Sequence, residues 1–192
     1  MRQIAIQINK ESTRLGFWKD TDAYLKLMIA IGALADANSA YRDENYCDLE
    51  KFNNLYKGIE TANDFWVQNY KHYIYNTYEE SIVDCFMVLL DYMVEMELPF
   101  DEINERYEFR RLPQENKRFH DVSIPYRLLK ITEKLVVYNL KEENENEDAY
   151  QFFRTTLGFL YNVISSRGFD IMKMIECKLA YNRFTKPGKR KY

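Results

Sequence analysis

Breakers of regular structure are scarce in this chain: 6 glycines and 4 prolines in 192 residues. Proline removes a backbone donor and glycine adds unfolded-state entropy, so long stretches without either favour helix. β-rich chains need turn residues every few positions, and this sequence does not supply them. The expected class is all-α, a helical bundle of five or six helices. The chain fits a single domain over residues 1–192.

Hydrophobic periodicity and capping signals place the helices. The first long one is expected over about Thr21 to Tyr41, with Asp20 or Thr21 as its cap and a stripe of Leu25, Met28, Ile29, Gly32, Asp36 and Ala40. The second runs over about Asp48 to Tyr75 and is broken at Gly58 and Asn63. The third runs over about Tyr78 to Glu97, with Thr77 as N-cap, Glu79 and Glu80 in the first turn, and Pro99 as the stop. Residues Glu102 to Asp121 are charged and favour neither class. Further helices are expected over about Pro125 to Leu140, Ala149 to Arg167 and Asp170 to Asn182. Lys141 to Asp148 reads as an acidic loop, and Gly168 as a left-handed C-cap.

Composition excludes several functions. Hydrophobic residues make up 46%, enough for a core, and no apolar run approaches the roughly 20 residues of a membrane helix. The net charge of −3 gives no general pull toward nucleic acid, and the only dense basic run is the tail, Lys186 to Lys191. Three scattered cysteines, with no zinc spacing and no export signal, predict reduced thiols in a cytoplasmic protein. Two histidines make a histidine-rich metal site a poor fit.

Two acids stand out against their surroundings. Asp84 is the only charge in Ile82 to Leu90, a run apolar on nearly every side. A buried carboxylate needs a cation, a metal or several donors, or it takes up a proton. Asp36 lies on the Leu25, Ile29, Gly32 stripe, which is expected to face inward. If those two helices pack together, the two aspartates can share one cation. The plainer reading pairs each with a lysine or arginine.

Three blocks resemble the MazG-like nucleotide pyrophosphohydrolases. The first is Gly16-Phe17-Trp18, then Leu27-Met28-Ile29 and Ala33-Leu34-Ala35-Asp36-Ala37, ending at Arg42. The second is Asn76 to Asp84, followed by Leu89-Leu90-Asp91. The third is Lys178 to Asn182 with Gly188 to Tyr192. Together they cover about residues 9–97 and 168–192. The resemblance implies a core over residues 1–100, a helical insertion or internal second half over 101–167, and a C-terminal core helix with a basic tail over 168–192. It implies Mg²⁺ as cofactor, a nucleoside triphosphate as partner, and hydrolysis to a nucleoside monophosphate and pyrophosphate. It also implies a homodimer, or a monomer in which the last three helices, which loosely echo the first three, act as an internal pseudo-dimer.

In that family one helix carries ExxE and the next ExxD, and residues three apart share a helix face. Here Ala33 and Ser81 stand where two of the four carboxylates belong, while Asp36 and Asp84 remain. The expected metal ligands are therefore Asp36 and Asp84, with Glu80 near the same face as Asp84. The expected nucleotide contacts are Lys178, Asn182, Lys189 and Trp18, with the two lysines on phosphate and Trp18 against the base. Lys178 and Asn182 continue the inward line of Ile171 and Ile175. The thinned ligand set favours a nucleotide-binding or regulatory module with weakened or lost activity. An active Mg²⁺-dependent pyrophosphohydrolase and a helical interaction scaffold are the alternatives.

Overall fold

The computed structural model describes residues 1–16, 23–98, 100, 123–140 and 146–185. Among the described residues every regular element is helical: α1 (Arg2–Arg14), α2 (Ala23–Arg42), α3 (Leu49–Lys57), a 3₁₀ turn (Ile59–Thr61), α4 (Asp64–Tyr73), α5 (Tyr78–Glu95), α6 (Ile124–Leu140), α7 (Asn146–Ser166) and α8 (Ile171–Phe184). No described helix is long and apolar enough to cross a membrane.

α5 is the central rod. It packs most extensively against α2, and also against α1, α7 and α8. Fifteen of its residues are buried, from Tyr78 to Met93, as the all-round apolar run predicts. Its start is fixed by Thr77, whose Oγ1 accepts from the Glu80 amide at 3.3 Å and donates to the Ile74 carbonyl at 2.7 Å. The break at Gly58 and Asn63 is present too. Gly58 caps α3, and the Asn63 side chain accepts from the Trp66 amide to start α4. Gly168 closes α7 at φ +84°, a left-handed conformation that a Cβ would strain. Asp170 then caps α8. Pro99 and residues 141–145, part of the stretch expected as an acidic loop, lie outside the described residues.

Two features differ from the sequence-based expectation. Residues Arg2–Arg14 form a helix that the polar stretch at Asn9-Lys10-Glu11 obscured. Its inner face is short-range periodic: Ile4, Ala5, Ile8 and Ser12 are buried. The second difference is the face of α2. Most of the stripe expected to point inward points out: Leu25, Met28, Gly32 and Asp36 are exposed, whereas Ile29 is half-buried against the core and Ala40 is buried. The buried face is Lys26, Leu27, Ala30, Ala33, Leu34 and Ala37. Small alanines let α2 approach α5 closely, so dense packing selects that face over the larger Leu25 and Met28. A helix apolar on both sides gives periodicity nothing to choose between.

Candidate functional site

Helix α5 carries five acids that meet partners from other elements. Glu80 and Asp84, one turn apart, both bond Lys178 of α8. The ammonium donates to Glu80 Oε1 and lies 2.8 and 2.9 Å from the two Asp84 oxygens. Lys178 is 1% exposed, Glu80 2%, and the Asp84 side chain 29%. The pair therefore runs from the core to the rim of the bundle.

Glu80 takes two further donors: the Asn76 amide at 2.9 Å and the Tyr70 hydroxyl at 3.3 Å. With Thr77 at the N-cap and Glu80 three residues on, this is a capping box shifted by one residue, the glutamate reaching Asn76 rather than Thr77. Burial pushes the Glu80 carboxyl above the usual carboxylate range, against the pull of Lys178. Burial likewise holds the Tyr70 hydroxyl well above its ordinary value, with Glu80 adding to it. Aromatic rings seal the cluster. Tyr70 stacks on Tyr181 at 4.3 Å, Tyr75 lies 5.8 Å from Tyr181, and the Lys178 ammonium sits 5.8 Å from the Tyr75 ring centre.

The other three acids, Glu79, Asp91 and Glu95, were not among the candidate site residues read from the sequence. Glu79 is fully buried, accepting from the Cys47 amide at 2.8 Å and from Arg167 at 2.9 Å. The Arg167 guanidinium also covers the Tyr46 ring at 4.5 Å. Asp91 is buried against Lys26 of α2 at 3.0 Å and Asn9 of α1 at 2.7 Å, and Lys26 also pairs with Glu95. Lys26 left a trace in the sequence as the only charge between residues 23 and 35. The partners came from chain positions 65 and 82 residues away from Asp91, so no local pattern could name them.

Of the residues expected to act together, Glu80, Asp84 and Lys178 converge. Asn182 is buried one turn beyond Lys178, and its side-chain oxygen Oδ1 has no hydrogen-bond partner. Asp36 is not part of this group: it lies on the exposed face of α2. Trp18 and Lys189 fall outside the described residues. Ala33 and Ser81 are both buried, on the two helices that pack most closely.

This donor set does not suit Mg²⁺ as arranged. Mg²⁺ asks for octahedral oxygen ligands, several of them water or phosphate. Here an ammonium already occupies the space between the two carboxylates, and Ala33 and Ser81 stand where the resembling pattern has two further acids. Among the described residues no three His, Cys, Asp or Glu side chains are grouped to hold a metal ion. Comparison with known protein families, with curated proteins and with solved structures finds no match to this chain.

The three cysteines are free and buried. Burial raises all three thiols, Cys177 up to about 12, so none has thiolate character at neutral pH.

Proposed function

We propose that this chain is a MazG-like helical module that binds nucleotide, or regulates through such binding, without running metal-dependent pyrophosphate release. One observation carries the reading: the Lys178 ammonium bonds both Glu80 and Asp84, the acids nearest the family's metal-binding ExxD. A fixed internal ammonium fills the position between the two acids with one of the two positive charges a Mg²⁺ ion would bring, and it offers no open coordination position for phosphate or water. The order of the three resembling blocks supports the family reading, and Ala33 and Ser81 support the loss of chemistry.

Incubation with each NTP and dNTP in Mg²⁺ at high protein concentration tests the proposal. The expected result is no pyrophosphate release. Turnover that disappears in Asp84→Asn would overturn it.

A second reading, an interaction scaffold that assembles with itself, draws on the outer face of α2. Tyr24, Leu25 and Met28 are exposed, and no charge appears on that face before Asp36. Contiguous exposed apolar side chains mark interaction surfaces when the patch they form is large. Gel filtration with light scattering distinguishes a homodimer from a monomer.

A further inference from the structure

A groove of about 500 Å³ opens between α3 and α4, away from the buried carboxylates. Its volume lies within the range of small-ligand sites. Trp66 forms part of its inner wall; the indole N–H donates to the Leu55 carbonyl at 2.9 Å, so the ring presents carbon to the groove. Phe65 stands at the rim with 74% of its surface exposed, a high value for a phenylalanine in a folded chain. Tyr73 supplies a third ring, with the Lys51 ammonium 5.7 Å from its centre. Asn54 and Asn69 line the same space, and neither side-chain amide hydrogen-bonds to protein. No Asp or Glu lines it, so the lining carries a single positive charge from Lys51.

We propose that this groove binds a mononucleotide. The three chemistries it combines match the three parts of that ligand. An exposed ring offers a stacking platform for a base. Asparagine amides, each with a donor and an acceptor side by side, match the edge of a base. A lone ammonium without a carboxylate partner suits a phosphate. The overall charge of −3 and the single lining cation favour a free mononucleotide over a polynucleotide strand. The inference rests on the nucleotide-binding reading above but moves the ligand from the carboxylate cluster to a different face. The groove is joined to that cluster through rings: Trp66 stacks on Tyr70 at 5.6 Å, and the Tyr70 hydroxyl donates to Glu80.

Isothermal titration calorimetry of the full chain with purine and pyrimidine nucleoside monophosphates, ribose 5-phosphate and inorganic phosphate tests the assignment. A nucleoside monophosphate is expected to bind more tightly than ribose 5-phosphate, and phosphate alone most weakly. Phe65→Ala is expected to weaken binding about tenfold, the value of one base–aromatic stack. Lys51→Met is expected to weaken it and to flatten its salt dependence. These side chains are exposed, so unchanged melting temperatures will show that the variants fold. Binding that survives Phe65→Ala and Asn69→Ala undiminished would overturn the groove while leaving the nucleotide-binding reading intact. No binding by any nucleotide would overturn both.

Discussion

Lys178 holds two carboxylates, one of which, Glu80, would otherwise be buried without a counter-charge. Removing one partner of a buried ion pair leaves a charge that the interior solvates poorly. Lys178→Met is therefore expected to lower stability by about 3 kcal/mol, near the lower end of that class because Glu80 can take up a proton. The same variant vacates the position between Glu80 and Asp84. Its melting temperature is expected to rise with added Mg²⁺ or Mn²⁺, whereas the parent chain shows no such rise; denaturation scans with and without the ions check both statements. Glu80 also carries a pH signature. Its carboxyl is raised in the folded state by burial, so the folded chain binds this proton more tightly than the unfolded chain. That contribution is present in full below the ordinary glutamate value and is lost as pH rises through the raised one. In Glu80→Gln this part of the pH dependence disappears, so the melting-temperature gap between parent and variant should change across that window. Equal slopes from pH 4 to pH 8 would count against it. Asp84 and Lys178 were visible in the sequence, one as a lone charge in an apolar run and the other on an inward stripe. That they bond each other was not, because 94 residues separate them.

The helices were largely legible as elements. Thr77, Asp170 and Gly168 mark boundaries by local chemistry, and local chemistry is what a sequence displays. Thr77→Ala removes both a cap acceptor and a donor to Ile74, and is expected to lower stability by about 1 kcal/mol, read by chemical denaturation. Gly168→Ala adds a Cβ at positive φ and only 3.3 Å from Leu49, so it is expected to destabilise as well. The orientation of α2 was not legible. Its two faces are nearly equal in hydrophobicity, and the alanine face wins through close contact with α5, a property of the pair rather than of either helix. This placement bears on the family pattern. Ala33 lies buried on the face that meets α5, while Asp36, three residues on, is exposed. The double change Ala33→Glu with Ser81→Glu would put two acids on these packed helices. If they are arranged as in the MazG-like family, Mg²⁺ affinity should appear, measured by titration calorimetry; unchanged affinity would count against that arrangement.

At the scale of the molecule, one hydrophobic core runs from Ile4 to Tyr181 and draws on every described helix. Three buried charge clusters on α5 tie that core to α1, α2, α8 and the end of α7. The outer face of α2 is left apolar. Met28→Glu is expected to shift a self-associated form toward monomer without loss of fold, checked by light scattering and thermal melting; a parent chain that is monomeric at all concentrations would sink the assembly reading. The sequence by itself determined the helical class, most helix ends and the candidate acids Glu80 and Asp84 on α5, because propensity, caps and isolated charges act over a few residues. The tertiary structure alone decided which side of α2 is inside, which lysine answers which aspartate, and where a groove opens between α3 and α4. Those outcomes depend on close packing between segments distant in the chain, and no local pattern encodes the distance across which they meet.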